Sequence, residues 1–233
     1  MKKIFYLFLI SFFSVYLYAK GKPDPVVQYN TDAKYPGQAE KIIQIDIKSP
    51  IAMTSADNDI FIIDKETGYI YRFTLNDRKI KEYIITPGTN PSSMTTDGKF
   101  LYVLDNDDKA IFKIDIQSKE MIKRLEIDVD SALAIAFGDG FLYINDLGKK
   151  TINRISSEDG TTVSSFPMPT AGKGRATEEY GMVYRNSYLY ITDRNTDTIY
   201  QVYSKTGDVV NIYHIPELPF MTGITFFNNE LYV

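Results

Sequence analysis

The pentapeptide LYVLD ending at Asp105 returns as IFIID ending at Asp64, LYIND ending at Asp146 and LYITD ending at Asp193, and starts again as LYV at Leu231. Successive aspartates stand 41, 41 and 47 residues apart, and Leu231 follows Leu189 by 42. A fixed period of this length means that one supersecondary unit is repeated, each copy burying its apolar faces against the next. An array of this kind grows by adding units, so the 233 residues read as one domain.

Within one unit, SSMTTDGKFLYVLDNDDKAIFKIDIQSKEMIKRLEI, four short strands can be read. The first lies near 92–96 and turns at Asp97 and Gly98. The second, 100–104, is an unbroken apolar run, as in a strand buried on both faces. After a polar turn, 111–116 alternates Ile111, Lys113 and Asp115 with Phe112, Ile114 and Ile116, which is the pattern of a half-buried third strand. The outer strand is 121–127. Six residues after every aspartate an isoleucine opens the third strand: Ile70, Ile111, Ile152 and Ile199. The turn from strand three to strand four carries Asn76–Asp77, Gln117–Ser118, Glu158–Asp159–Gly160 and Lys205–Thr206–Gly207, residue types that accept tight or left-handed backbone. Four strands in about 40 residues make one blade of a β-propeller. The fold class expected is therefore all-β, with four-stranded antiparallel blades.

The first residues read as an export signal: Lys2 and Lys3, then an apolar run over 4–18 broken only by Ser11 and Ser14, then Ala19. Fifteen residues are few for a membrane span. The expected organisation is a signal at 1–19, a linker at 20–39 and the propeller over 40–233, with no span in the mature chain and a secreted or periplasmic location. Because Leu17, two positions before Ala19, is bulkier than a cleavage site usually carries, retention of the segment as an N-terminal anchor is the alternative. There is no cysteine, which excludes a disulfide framework and a lipid-modified cysteine behind the signal. Removing 1–19 takes Lys2 and Lys3 from 26 basic side chains and nothing from 30 acidic ones, leaving a formal charge of −6. The longest basic clusters, Lys149–Lys150 and Lys123–Arg124, stand among acids, so nucleic acid is not an expected partner.

Residues 40–47, EKIIQIDI, have no strands of their own before them and read as an outer fourth strand that closes the last blade. The sequence stops midway through the second strand of a fifth unit. The chain thus reads as about four blades, an N-terminal closing strand and the start of a fifth. It is expected to be an open arc and a fragment of a monomeric ring of six or seven blades.

The fourth unit, LYITDRNTDTIYQVYSKTGDVV, resembles the NHL repeat: strand, Asp, a polar turn with Asn, Ile, an aromatic-containing strand and a Gly turn. Units two and three lie equally near the YVTN-type repeats, with Asn145 and Leu147–Gly148 replacing the more usual residues around the third aspartate. The chain has no Trp, which disfavours the WD40, kelch and tryptophan-docked quinoprotein propellers. The resemblance implies a propeller fold and a role in mediating interactions.

Chemistry is expected on the face that carries the turns after Asp64, Asp105, Asp146 and Asp193 and the loops between blades. The longest of these loops, PTAGKGRATEEY, holds the extra residues of the 47-residue spacing. Its Lys173 and Arg175, flanked by glycines, with Arg194 on the next turn, are the candidate ligand-binding cations. The four aspartates are read as structural turn residues, because a short carboxylate caps the N–H groups of its own turn. No catalytic residue and no metal ligand is assigned. His214 is the sole histidine, which removes His-rich zinc sites, and without cysteine there is no Cys nucleophile. Tyr102, Tyr143 and Tyr190 recur at one strand position and read as blade packing. The function expected is a binding module for a protein, peptide or glycan, with no cofactor. The alternative is a calcium-dependent hydrolase or lyase of the lactonase-like propeller type, for which the first strands, IAMTS, SSMTT, LAIAF, GMVY and GITFF, offer hydroxyls but no carboxylate.

Overall fold

A computed structural model describes residues 5–11, 35–36, 38–76, 78–169, 179–215 and 221–233. Three strands precede the repeats: β1 (Phe5–Ser11), β2 (Tyr35–Pro36) and β3 (Gln38–Ile45). The first blade is β4 (Pro50–Ala56), β5 (Asp59–Asp64), β6 (Tyr69–Thr74) and β7 (Lys79–Ile85). The second is β8 (Pro91–Thr96), β9 (Phe100–Asp105), β10 (Ala110–Asp115) and β11 (Met121–Glu126). The third is β12 (Ile135–Gly138), β13 (Phe141–Asp146), β14 (Thr151–Ser156) and β15 (Thr162–Pro167). The fourth is β16 (Glu179–Arg185), β17 (Tyr188–Asp193), β18 (Thr198–Tyr203) and β19 (Val209–His214), and β20 (Thr225–Phe227) and β21 (Glu230–Tyr232) follow.

Each blade is an antiparallel meander in chain order, as short polar turns between apolar runs dictate. The second strands are buried on both faces: all six residues of β5 are buried, and so are the last five of β9 and β13. In every blade the pairing of strands three and four slips by one residue, after Arg72, Lys113, Arg154 and Gln201. Such a bulge sharpens the twist that splays a blade from centre to rim. Gly160 and Gly207 in the following turns have φ of 79° and 82°. A side chain at Gly160 would collide with the Glu126 carbonyl of the preceding blade, and one at Gly207 with the Phe166 ring.

The core is a ring of separate seams between neighbouring blades. Ile63, Ile70 and Phe61 meet Met94, Leu101 and Val103 between blades one and two. Tyr102, Leu104 and Ile111 meet Ile135, Leu142 and Ile144 between two and three, and Tyr143 and Ile152 meet Met182, Leu189 and Ile191 between three and four. Burial of each such side chain stabilises by about 2 kcal/mol. The recurring tyrosines span these seams. Tyr102 stacks on Phe137 at 5.7 Å, Tyr143 on Tyr184 at 5.8 Å, and Tyr190 meets Phe226 edge-on at 5.0 Å, each reaching the inner strand of the next blade.

The chain does not form the open arc that its length leads one to expect. A fifth sheet, in the order β20-β21-β1-β3, joins strands from both ends. β3 takes its outer position, as the 40–47 segment predicts. The third position is filled by β1, from within the residues read as an export signal, and β2, in the stretch read as a linker, adds in parallel to the edge of β19. Leu231, Val233 and Ile224 pack against Ile199 of the fourth blade, and Phe227 and Tyr232 share a cluster with Met53, Ile60 and Phe73 of the first. Ser55 donates a hydrogen bond to the Phe226 carbonyl, which seals the ring between its two ends.

Candidate functional site

In each of the four complete blades the second strand delivers its terminal aspartate, fully buried, to the same face of the ring. The Asp64 carboxylate accepts hydrogen bonds from the backbone N–H of Glu66 at 3.1 Å in its own turn and from Ser49 at 3.0 Å in the loop entering the inner strand. Asp105 does the same with Asp108 at 2.9 Å and Asn90 at 2.8 Å. Asp193 accepts from Asn195 N–H at 2.9 Å and from the Tyr200 hydroxyl at 3.4 Å. These carboxylates therefore hold backbone rather than reaching outward.

The third blade divides this work between two residues. Asp146 caps its own turn through Lys149 N–H at 3.1 Å, and its other oxygen lies 3.5 Å from the Lys149 ammonium. The entering loop is held instead by Asn145, whose Oδ1 accepts from Leu133 and Ala134 N–H, both at 2.8 Å. Asn145 is fully buried, and sequence reasoning gave it no role. Its signal was an amide where the other repeats carry Ile63, Leu104 and Thr192.

Several inner-strand hydroxyls are committed as well. Ser93 and Thr95 accept hydrogen bonds from Ile135 and Phe137 N–H of the next blade, at 3.3 and 3.0 Å, and Ser92 donates to the Ala132 carbonyl at 3.1 Å. Thr225 donates to Ser55 at 3.2 Å across the closing seam. Among the described residues no three His, Asp or Glu side chains converge to hold a metal ion.

Of the candidate cations, Lys173 and Arg175 lie outside the described residues. Arg194 is half-buried in the turn after Asp193 and engaged with its surroundings. His214 sits in the outer strand β19, its Nδ1 3.0 Å from the Thr196 carbonyl, away from the axis. What the loop face offers to solvent is a rim of mixed charge: Lys65, Glu66, Asp107, Asp128, Asp130, Lys149 and Lys150 are exposed.

A second charged group sits on the opposite face, centred on the first blade and reached by one lysine of the second. Asp59, nearly buried, receives Arg72 Nε at 2.6 Å, the Thr74 hydroxyl at 2.7 Å and Lys81 at 3.1 Å. Arg72 continues to Glu82 at 3.0 Å, and Lys119 of the second blade reaches Glu82 at 2.6 Å. Burial alone pushes the Asp59 carboxyl up, but the hydrogen bonds from Thr74, Arg72 and Lys81 outweigh it and hold it below the ordinary carboxylate range. Lys119, with Arg72, lowers Glu82 likewise. The equivalent positions in later blades are Phe100, Phe141 and Tyr188, which makes this network a local strut.

Fold and seams together define a β-propeller. Among solved structures the chain is similar to a glutaminyl cyclase of Myxococcus xanthus, with a TM-score of 0.65, 12% identity and coverage of 79% of this chain and 91% of that one. It is also similar to virginiamycin B lyase of Staphylococcus aureus (TM-score 0.53, 19% identity, 82% of this chain and 69% of that one). A chain of a nidogen–laminin complex gives a TM-score of 0.59 at 15% identity, over 79% of this chain and 72% of that one. At these identities the likeness concerns the fold. No protein-family pattern and no curated protein matches the sequence.

Proposed function

We propose that this chain is an exported propeller module that binds a protein, peptide or glycan through its loop face and performs no chemistry of its own. One observation carries the reading. The recurring aspartates and the inner-strand hydroxyls of Ser93 and Thr95, which the metal-dependent alternative would need as ligands, are spent on backbone N–H groups and on the neighbouring blade. The solvent-facing polar groups lie instead on the turns themselves, where a scaffold presents a recognition surface. Solved propellers of similar fold include enzymes and a member of a protein complex, so the fold leaves the choice to the site. Location outside the cytoplasm follows from the leader pattern at 1–19.

Two measurements test the proposal. Calcium titration calorimetry on EDTA-treated protein should give no saturable heat; saturable micromolar binding accompanied by lactone or ester turnover would overturn the reading in favour of the hydrolase or lyase. A photo-crosslinking side chain placed at Asp107 or Lys149 should capture a defined partner, while one at Lys99 or Glu158 on the opposite face should not. Equal capture from both faces would remove the loop face as the interface.

A further inference from the structure

The outer strands of the four complete blades give the ring four sheet edges, and three of them are blunted. β19 is covered by β2, which pairs with it in parallel through Tyr213↔Tyr35 and His214↔Pro36. β15 carries Ser164 and Ser165 and ends on Pro167. β11 exposes Met121 and Ile122, but Lys123 and Arg124 follow, folded over the Glu158 and Asp108 carbonyls. Charge and proline on an edge discourage a further strand. β7 differs. At seven residues it is the longest of the four, and Lys79 and Lys81 guard only its first half. Its second half exposes Tyr83 and Ile85, and Ile85 is the most exposed large apolar side chain among the described residues. Among the described residues no strand pairs with its free edge. We propose that the edge of β7 is a docking site for an extended segment of a partner protein, which adds to the first blade as a fifth strand with apolar residues at alternate positions and carboxylates between them. The site is separate from the loop face and does not rest on that reading.

An open groove of about 700 Å³ runs along this edge, lined by every residue of β7 from Ile80 to Ile85 and by Lys119 at a turn of the second blade. Successive residues of a strand point to opposite faces, so a lining that takes them all lies beside the strand, where one more would pair. The two sides of the groove differ in chemistry. In the ladder Ile85 stands opposite Tyr69 and Tyr83 opposite Tyr71, and the Tyr83 ring stacks on Tyr69 at 4.4 Å. That side is an apolar shelf, with Tyr83 51% and Ile85 69% exposed. The other side holds the network around Asp59 and Glu82, with Lys119 2.6 Å from Glu82. There Arg72, Lys79, Lys81 and Lys119 outnumber the two carboxylates, a local excess of positive charge in a chain whose formal charge is −4. An added strand gains main-chain hydrogen bonds from the edge and selectivity from where its alternate side chains fall. Here every second side chain lies over the tyrosine and isoleucine shelf and the others turn towards the cations. Apolar residues suit the first set and Asp or Glu the second. β2 on β19 shows the outer edge of a blade in this ring taking one more strand.

The test uses the full chain and a fluorescein-labelled peptide of about seven residues that alternates valine with glutamate. The peptide should bind with a Kd on the order of 100 μM and slow amide exchange in β7 at least about fivefold, leaving β11 and β15 unchanged. Ile85→Glu changes an exposed side chain and leaves the core intact; it should weaken binding about tenfold, and Lys119→Gln about threefold. The same change on the neighbouring outer strand, Ile122→Glu, should leave binding as it was. A counterpart peptide alternating valine with lysine should bind at least about tenfold more weakly. Absence of binding up to about 1 mM peptide would overturn the proposal, as would binding that Ile85→Glu does not weaken or protection shared equally with β11. Dimers of the chain that Ile85→Glu dissolves would overturn it by making a second copy the occupant. Protection of β7 by a glucose oligosaccharide that the valine and glutamate peptide does not displace would overturn it too, by assigning the tyrosine shelf to a sugar.

Discussion

The second blade and the fifth sheet occupy equivalent places in one ring and are assembled in opposite ways. Every strand of the second blade pairs with its neighbour in sequence, through turns of a few residues. The fifth sheet pairs Ile10 with Leu231 and seats a strand from one end of the chain between strands from both. Local pairs close small loops at little entropic cost; the fifth sheet must bring the two ends of the chain together before it gains anything. The seam it forms should be the one that opens first.

The sharpest form of that comparison uses one side chain at one position. Leu142 and Leu231 stand at the same place in the second strand of their blades, opposite Phe137 and Phe226, and both are fully buried. Leu142→Ala should cost about 3–4 kcal/mol, read as a shift of the main unfolding transition in urea. Leu231→Ala should cost about 2 kcal/mol and act on an earlier, separate transition, because β21 is a three-residue strand that meets β1 at two positions. Equal losses in a single transition would break the comparison.

That contrast also marks how far the sequence was legible. The aspartate spacing, the isoleucine six residues on and the turn residues each report on one blade and its neighbours, and they located β8 to β11 to within a residue or two. The role of 40–47 was readable as well, since an apolar strand without partners must find them elsewhere. The strand at 5–11 was not, because a run such as FYLFLI has the composition both of a leader and of a buried strand, and periodicity does not separate the two. Asn145 escaped for a different reason. Its departure from the usual repeat was visible, but the backbone N–H groups that its amide holds belong to the entering loop, and repeat comparison does not say which loop atoms a side chain will meet.

That departure gives the next prediction. Asp105→Ala removes acceptors for Asn90 and Asp108 N–H together and should cost about 2–3 kcal/mol. In the third blade the same duties are divided, so Asp146→Ala should cost about 1 kcal/mol and Asn145→Ala about 2, since two buried N–H groups lose their partner. Denaturant midpoints of the three variants rank them; a loss at Asp146 as large as that at Asp105 would mean that its carboxylate carries more than its turn.

The first blade differs from its successors in charge, and pH isolates that difference. Asp59 and Glu82 titrate lower in the folded protein than their ordinary values. The unfolded chain therefore binds more protons in that window. The stability they contribute is fully present above the ordinary carboxylate range and is lost as pH falls through it towards their folded values. Asp59→Asn should cost about 2 kcal/mol at pH 7, and the gap from the unaltered protein should narrow below about pH 4. A gap that stays constant down to pH 3 would assign the loss to packing instead of charge.

The smallest effect tests the seam itself. Ser55 donates to the Phe226 carbonyl and accepts from Thr225, so it joins the first inner strand to the last. Thr95 plays a comparable part between the second and third blades, where its Oγ1 accepts from Phe137 N–H. Ser55→Ala and Thr95→Val should each cost about 1 kcal/mol. They should differ in where the cost appears. Thr95 lies between two locally built blades and should lower the main transition, whereas Ser55 should lower only the opening of the fifth sheet, seen as faster amide exchange in β20 and β4 with the main midpoint unmoved. If Ser55→Ala lowers the main midpoint as much as Thr95→Val does, the closing seam is as cooperative as the rest of the ring, and the sheet built from both ends folds as one unit with the four built from within.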